Sequence, residues 1–380
     1  NDNTPTLAGV TEADSVVTIR DNGAVIGTTI SDGSGNWSFT PAPALSEGSH
    51  SLTATVTDGA GNISPATPPF TLVVDTLPPA APVITSVIDD QPGNTSLANG
   101  QLTNDAQPTL NGTGEVGAII TIKDKGVDIG TAQVDGSGNW TFTPGSALGQ
   151  GQHVFTAVAT DQAGNTGGAS SSFTLELDSI APVAPVISTV QDNTAPTTGP
   201  IGNGQTTNET RPALSGSGEV GATITVLSDG LPIGTTTVGA GGTWSFTPTD
   251  ALDNGTHTLT VTATDSAGNT SPASNGFTLT VDTVSPNAPL ITQVTDDVGP
   301  LTGNLNNGQA TNDTLPTLSG TAEANSTVRI YDNGSFIGSI TADGTGAWSF
   351  TPGTALSNGN HTLTVTATDA AGNVSSTSAG

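Results

Sequence analysis

Three features of the sequence predict an all-β chain built of tandem domains. One passage is written four times, so that a Trp recurs at intervals of 103, 104 and 104 residues, at Trp37, Trp140, Trp244 and Trp348. The composition, with 33% apolar residues, 49 Gly and 25 Pro, favours short strands and many turns over long helices. Apolar and polar residues alternate in short runs that Gly, Asn, Asp and Pro separate. A period near 100 residues predicts whole domains, because a unit of about that length can bury its own core.

The repeats predict four domains, at residues 1–75, 76–178, 179–282 and 283–380. The first is expected to be N-terminally truncated, because its opening residues, Asn1 to Leu7, align with the T-N-D-x-x-P-T-L stretch that contains Asn104. We therefore expect the chain to be part of a longer array, with any signal peptide, anchor or terminal cap outside it. Domains stacked end to end in this way would form an elongated, monomeric rod.

The second repeat illustrates the strands that the sequence predicts. They lie at residues 83–88, 108–112, 118–123, 128–134, 140–143, 153–160 and 172–177, with turn residues between them. Seven strands in about 100 residues, without a helical pattern, predict an immunoglobulin-like seven-stranded β-sandwich. The Trp and Phe of each W-x-F run share one face of their strand, so we expect them in the core between the two sheets.

The chain contains no Cys and four His residues. Each His follows its Trp at a fixed offset, at His50, His153, His257 and His361. One His per repeat without Cys does not assemble a zinc site inside a domain, so we predict that these residues are structural. No run approaches the roughly 18 consecutive apolar residues that span a membrane, and we expect no membrane insertion. Without disulfides, an extracellular chain of this kind needs another means of stiffening.

The charge balance narrows the choice of partners. Five basic residues face 33 acidic residues, for a net charge of −28, which excludes nucleic acid as a partner. The acidic residues are mostly Asp, and they recur at fixed positions of the repeat. They are either turn residues that recur with the turns or oxygen ligands of hard cations such as calcium, which binds roughly six to eight oxygen atoms.

The ends of adjacent domains are predicted to hold metal ions. If the strands run antiparallel, alternate loops fall at opposite ends of each domain, and the end of one domain meets the start of the next. The predicted junctions contain Asp75, Glu115, Asp161 and Asn165; Asp178, Glu219, Asp265 and Asn269; and Asp282, Glu323, Asp369 and Asn373. Carboxylates gathered without a counter-charge repel one another and have raised pKa values, which a divalent ion would relieve. The linkers at residues 76–82, 179–185 and 283–289 are short and rich in Pro, so little slack remains.

A second kind of metal site is predicted inside each full domain, in the long loop after its first strand. Acidic residues stand at both ends of this loop: Asp89, Asp90 and Asp105; Asp192 and Glu209; and Asp296, Asp297 and Asp313. The third repeat has Asn193 and Glu209 where its neighbours have Asp, which predicts a weaker site there. A loop of about 18 residues without a strand pattern is long for a compact domain, and chelation would order it. Calcium suits flexible loops with mixed oxygen donors better than magnesium does.

The repeated motifs resemble those of a known family over all four units. They are T-N-D-x-x-P-T-L-x-G-x-x-E, W-S-F-T-P, L-x-x-G-x-H-x-L-T-x-T-A-T-D-x-A-G-N and V-D-T-x-x-P. This combination is similar to the bacterial Ig-like repeats of giant non-fimbrial adhesins secreted by type I systems. The resemblance implies a secreted, cell-surface stalk that calcium stiffens at and near its domain junctions. It also implies that the type I secretion apparatus is a partner and that other parts of the full-length protein contact the host-cell surface or its glycans.

Three other functions make different demands on the sequence. An enzyme is not expected, because the sequence contains no Ser-His-Asp order, no phosphate loop and no close carboxylate pair in an evident cleft. A glycan-binding module would require the repeated Trp residues to be exposed. An acidic spacer in a biofilm matrix protein would need no calcium, since its charge alone would keep it soluble and extended.

Overall fold

The computed structural model describes residues 1–91, 95–300 and 302–380, and every regular element in these ranges is a β-strand. The chain divides into two compact units, Asn1–Ser179 and Ile180–Gly380. Each unit contains two of the sequence repeats. No helix that could cross a membrane occurs in the described ranges.

The first unit contains the first two repeats, and each repeat forms two sheets. The strands of the first repeat are β1 (Leu7–Val10), β2 (Val16–Asp21), β3 (Ala24–Ile30), β4 (Asn36–Phe39), β5 (Gly48–Thr57) and β6 (Phe70–Val74). Those of the second are β7 (Val83–Asp89), β8 (Thr95–Leu97), β9 (Gln101–Thr103), β10 (Thr109–Thr113), β11 (Ile119–Asp124), β12 (Val127–Gln133), β13 (Asn139–Phe142), β14 (Gly151–Thr160), β15 (Thr166–Ala169) and β16 (Phe173–Leu177). The sheets have the orders β1-β4 and β3-β2-β5-β6, then β13-β10-β7-β8 and β12-β11-β14-β16-β9, with β15 paired to β14.

The second unit repeats this arrangement. The third repeat forms β17 (Val186–Asp192), β18 (Gly199–Pro200), β19 (Gln205–Thr207), β20 (Ala213–Ser217), β21 (Thr223–Ser228), β22 (Leu231–Thr237), β23 (Thr243–Phe246), β24 (Gly255–Thr264) and β25 (Phe277–Val281). The fourth forms β26 (Leu290–Asp296), β27 (Gly303–Asn304), β28 (Thr317–Thr321), β29 (Thr327–Asp332), β30 (Ser335–Thr341), β31 (Ala347–Phe350) and β32 (Leu363–Thr368). Their sheets have the orders β18-β17-β20-β23, β19-β25-β24-β21-β22, β27-β26-β28-β31 and β30-β29-β32.

The seven strands predicted for the second repeat are confirmed, each within two residues at either end. They are β7, β10, β11, β12, β13, β14 and β16, and every pair among them is antiparallel. The sequence indicates these strands because alternation of apolar and polar residues is a local pattern. All-β, immunoglobulin-like sandwiches in tandem are therefore what the chain forms.

The long loop after the first strand differs from the expectation that it contains no strand. In the second repeat it contributes β8, which pairs with β7, and β9, which pairs in parallel with β16. In the third repeat β18 and β19 do the same with β17 and β25. These strands have two or three residues, which is too short for an alternating pattern to stand out in the sequence. Pairing with the edges of both sheets ties the loop to the sandwich.

The Trp residues fill the core, as the W-x-F pattern predicts. Trp140, Trp244 and Trp348 are 3%, 3% and 4% exposed, and each belongs to a cluster with buried residues of the other sheet, such as Ile120. In the first repeat Trp37 is only half-buried, because its sheet has two strands and lacks the neighbour that β7 provides to β10. The prediction of a buried Trp is therefore confirmed for three repeats and only partly for the first.

Candidate metal sites and repeat junctions

The first junction is built around the loop that follows β14. The Asp161 carboxylate accepts hydrogen bonds from the Asn165 backbone N–H at 2.8 Å and from the Asn165 Nδ2 at 2.8 Å. The same Nδ2 also donates to the backbone carbonyl of Asp75 at 2.9 Å, just after β6 of the preceding repeat. Asp161 and Asn165 are both buried. Three of the four predicted residues therefore meet here, but Asp75 takes part through its backbone.

The carboxyl groups of Asp75 and Glu115 make no hydrogen bond to Asp161 or Asn165 in the described part of the chain. The Asp75 carboxylate accepts a hydrogen bond from the Leu77 N–H at 3.1 Å, within its own linker. Glu115 is exposed, and no hydrogen bond joins it to the other three residues in the described part of the chain. Among the described residues no three acidic side chains lie close enough to share a metal ion, so the predicted gathering of three carboxylates is not present at the first junction.

The third junction repeats the first in the other unit. Asn373 Nδ2 donates to Asp369 Oδ2 at 2.9 Å and to the Asp282 carbonyl at 2.8 Å. The Asp282 carboxylate accepts from the Val284 N–H at 2.9 Å, and Glu323 is exposed. The same residue types thus make the same bonds in two separate units.

The residues predicted for the second junction belong to different units. Asp178 lies in the first unit, where its N–H donates to the Thr103 carbonyl at 2.9 Å. In the second unit Asp265 accepts from the Asn269 N–H and from its Nδ2, both at 2.9 Å. Glu219 is exposed on the turn after β20. The loop of Asp265 and Asn269 therefore has the internal geometry found at the first and third junctions.

Hydrogen bonds stabilise the ionised form of the Asp in this loop. Burial acts to raise the pKa of the Asp161 carboxyl, but hydrogen bonds from the Asn165 side chain and from backbone N–H groups outweigh it, and the pKa lies below its ordinary value. The pKa of Asp58, the equivalent residue of the first repeat, is lowered mainly by the Asn62 side chain and backbone. N–H donors of its own loop therefore stabilise the Asp161 carboxylate in this structure.

The loop sites bring two carboxylates into the protein interior. In the second repeat Asp89 and Asp105 are 8% and 4% exposed. Thr103 lies between them: its hydroxyl donates to Asp89 Oδ2 at 2.6 Å and accepts from the Asp105 N–H at 3.1 Å. Asp105 Oδ2 also accepts from the Asp90 N–H at 3.1 Å. The two ends of the loop are therefore joined through a hydroxyl and backbone groups.

The same arrangement occurs in the third and fourth repeats. Thr207 joins Asp192 to Glu209, and Thr311 joins Asp296 to Asp313. All four acids are buried. The bridging Thr was missed by the sequence analysis, although it stands in the recurring T-N-D or T-N-E tripeptide. Its hydroxyl is needed because each buried carboxylate requires a hydrogen-bond donor.

The second acidic position at the start of the loop uses only its backbone. Asp90 and Asp297 are exposed, and their N–H groups donate to Asp105 and Asp313. Asn193 makes the same bond to Glu209 at 3.1 Å. Asp and Asn at this position therefore make the same backbone hydrogen bond to the acid at the other end of the loop.

Each long loop offers a divalent cation acidic groups that no basic residue balances. Its side chains alone supply fewer ligands than such an ion needs. No Lys or Arg pairs with the buried acids in the described residues, so no basic side chain balances the carboxyl groups of a pair. In the same ranges no three His, Asp or Glu side chains lie close enough to hold a metal together. A calcium ion could use one or both carboxylates of a pair, with backbone carbonyls and water as the other ligands. The donor chemistry therefore fits calcium.

The four His residues have hydrogen-bond acceptors at both ring nitrogens. The Nδ1 atoms of His50, His153 and His361 lie 2.6 to 2.7 Å from an Asp carboxylate, and each Nε2 faces a backbone carbonyl four residues earlier. In the third repeat Ser228 replaces this Asp, and Asp229 supplies the carboxylate, 3.1 Å from His257. These contacts lie within one repeat and agree with a structural role.

The comparisons with known proteins identify the family. The sequence pattern of the bacterial Ig-like domain matches residues 1–76, 80–179, 184–283 and 289–380. The chain belongs to the bacterial Ig-like domain family. These bacterial Ig-like repeats are also similar to the serine-rich adhesin for platelets of Staphylococcus aureus, with 30% identity over 199 residues. That similarity covers 51% of this chain and 8% of the adhesin, so the chain spans less than a tenth of that protein's length.

Solved structures similar to the bacterial Ig-like repeats include a region of an adhesion protein and a domain of a biofilm-associated protein. One is a tetra-tandem repeat from the extending region of a large adhesion protein, at 22% identity, covering 99% of this chain and 94% of that chain, with a TM-score of 0.34. Another is the BSP domain of a biofilm-associated protein, at 13% identity, covering 98% and 95%, with a TM-score of 0.20.

Proposed function

We propose that these bacterial Ig-like repeats are a calcium-stiffened stalk segment of a secreted surface adhesin. The stalk would present a binding region, located elsewhere in the full-length protein, to host cells or other surfaces. The observation that carries the calcium part is the pair of buried carboxylates, joined by Thr103, Thr207 or Thr311, that recurs in three repeats. The similarity to an adhesin supports the surface location.

The energetic argument rests on the cost of burying charge. Two carboxylates removed from water without a cation repel each other and lose hydration, which destabilises the folded repeat. Hydroxyl and N–H donors offset only part of this cost. A bound calcium ion would supply the missing positive charge, tie the loop to the sandwich and stabilise the repeat by linkage, because the ion binds the folded loop and not the unfolded chain.

The alternatives make different demands. A glycan-binding module based on the repeated Trp needs exposed rings, whereas Trp140, Trp244 and Trp348 are buried. The chain is not proposed to be an enzyme, since its repeated groups are taken up by turns, loops and core packing. A calcium-independent acidic spacer would have the same charge and the same domains, and metal dependence distinguishes it from the stalk proposed here.

The test is small-angle X-ray scattering of the whole chain with calcium, with magnesium and after chelation. We expect the longest and narrowest distance distribution with calcium, and a broader one after chelation or with magnesium. Asp105→Asn, Glu209→Gln and Asp313→Asn together should abolish the response to calcium. The matched control removes three exposed charges, by Asp14→Asn, Asp250→Asn and Asp253→Asn, and should retain the response. A profile that calcium leaves unchanged would establish the acidic spacer instead.

A further inference from the structure

We propose that adjacent repeats are also held together by a hydrogen-bonded joint that needs no metal, in which Asn165 and Asn373 are the positioning residues. The proposal deepens the stalk function and rests on it, since it concerns what sets the angle between successive repeats. It assigns the amide of the recurring D-x-A-G-N loop to the joint. The proposed calcium sites are separate from this joint and lie in the long loops with the buried pairs of acids.

The two N–H groups of the Asn165 side chain have separate tasks. One donates to Asp161 Oδ2 at 2.8 Å, within the loop, and fixes the orientation of the amide. The other donates to the Asp75 carbonyl at 2.9 Å, in the preceding repeat. Asn165 is 8% exposed, so little water competes for this second bond. The amide is therefore oriented by its own loop before it contacts the preceding repeat.

A second hydrogen bond to the same loop restricts rotation of one repeat relative to the other about the first hydrogen bond. The Asn1 amino group donates to the Ala163 carbonyl at 3.2 Å. In the second unit the Asn208 N–H donates to the Ala371 carbonyl at 3.0 Å. Asn1 and Asn208 occupy equivalent positions of their repeats, as do Ala163 and Ala371. Each loop thus receives one bond from the preceding repeat and donates another to it, and two separated bonds resist both bending and twisting.

The third joint reproduces the first with different neighbours. Asn373 is 8% exposed, and its Nδ2 donates to Asp369 Oδ2 at 2.9 Å and to the Asp282 carbonyl at 2.8 Å. Ala371 is 2% exposed. The recurrence of the same donors and acceptors in two separate units argues that the joint is a property of the repeat.

The first repeat contains a natural control for the loop itself. Asn62 Nδ2 donates to Asp58 Oδ2 at 2.7 Å, which is the internal bond of the joint. Asn62 is exposed, and in the described residues its amide reaches no other repeat. Replacing Asn62 therefore removes only the hydrogen bond within the loop. Replacing Asn165 removes that bond and also the hydrogen bond between repeats.

The experiment measures distances between repeats in the full chain after chelation. The chain has no Cys, so spin labels can be placed at Ala24→Cys and Gln133→Cys, which are exposed positions of the first and second repeats. Pulsed electron paramagnetic resonance should give one narrow distance distribution for this parent chain. Asn165→Ala should lose that single narrow distribution, and Asn62→Ala should retain it. Equal distributions for the two variants, or a broad distribution in the parent, would overturn the proposal.

Two further arms keep the outcome interpretable. Labels at Thr235→Cys and Ser339→Cys, with Asn373→Ala as the variant, test the third joint in case Asn165→Ala does not fold. Adding calcium to each sample tests the calcium proposal separately, because failure of that proposal appears as a width that calcium does not change. Failure of the joint proposal is decided from the distance distributions of the chelated samples, without reference to those that contain calcium.

Discussion

Each His of this chain has a hydrogen-bond acceptor beside both of its ring nitrogens. A backbone carbonyl only accepts, so the Nε2 that faces Ser46 in the first repeat must hold a hydrogen. The Nδ1 faces the Asp21 carboxylate, which also accepts. Protonated His50 can therefore donate from both nitrogens, to the Ser46 carbonyl and to the half-buried Asp21 carboxylate. The third repeat retains the pair by moving the carboxylate one residue, from position 228 to Asp229. A carboxylate therefore stands beside the His in all four repeats.

The pairs of His50 with Asp21 and of His361 with Asp332 predict that stability falls as the pH rises. The backbone carbonyl and the Asp carboxylate raise the pKa of His50 and of His361 above the ordinary 6.5. A raised pKa in the folded state contributes stability that is complete below pH 6.5 and is lost as the pH rises through the folded-state pKa. With four His in the chain, a proton NMR titration resolves each ring. We expect His50 and His361 to titrate above 6.5, and His50→Gln to flatten the fall in unfolding free energy between pH 6 and 9. A His50 pKa at or below 6.5 would contradict this account.

The element that most constrains the sandwich is the pair of strands that contain the Trp and the Gly opposite it. β10 and β13 pair so that Gly112 lies opposite Trp140, and the indole Nε1 donates to the Thr113 carbonyl at 3.1 Å. A Cβ at Gly112 would lie 2.2 Å from the ring and 2.2 Å from the Val83 carbonyl. The Trp therefore packs directly over the backbone of β10, which explains the Gly in each T-L-x-G run.

Gly112→Ala is predicted to destabilise the second repeat. Both neighbours are rigid, since one is a buried ring and the other is backbone of the paired strand, so the cost should be at least about 3 kcal/mol, at the upper end of overpacking. Gly136→Ala in the same repeat is the control, because a Cβ there meets no atom within 4 Å, and its effect should stay within about 0.5 kcal/mol. Hydrogen exchange followed by mass spectrometry reports protection repeat by repeat. Similar loss of protection in the two variants would mean that the strand shifts to accommodate the methyl group.

At the scale of the whole molecule, charge dominates the behaviour. A net charge of −28 on 380 residues makes repulsion between acids a general destabilising term, which salt reduces. Calcium should act beyond screening, because the buried pairs, such as Asp192 with Glu209, present two carboxylates without a basic partner in the described residues. Charge screening and site binding can therefore be separated by comparing ions at equal ionic strength.

Calcium is predicted to raise the thermal unfolding midpoint more than magnesium or sodium does at equal ionic strength. An ion that binds the folded loop but not the unfolded chain adds about 2.7 kcal/mol per site to the free energy of unfolding when free calcium exceeds its Kd by about 100-fold. For a domain of this size that corresponds to a rise of roughly 10 °C or more. Differential scanning calorimetry with the three ions measures the shifts. Equal shifts with all three would attribute the whole effect to screening.

Local sequence pattern was sufficient for the strands and the core. The seven predicted strands of the second repeat alternate apolar and polar residues, and the W-x-F runs place their rings on one face. The strands β7, β10 to β14 and β16, and the burial of Trp140, therefore followed from neighbours along the chain. The acidic ends of the long loop were also visible, at Asp89 and Asp105. Acidic residues and apolar–polar alternation can both be recognised from consecutive residues, without knowledge of the fold.

Contacts through the backbone were decided only by the tertiary structure. Asn165 meets the carbonyl of Asp75, 90 residues away, and any residue at that position would present the same carbonyl. The strands β8 and β9 exist because the edges of β7 and β16 are there to pair with them. Backbone donors and acceptors are identical at nearly every residue, so their pairing leaves no mark in the sequence and depends on which segments the fold brings together.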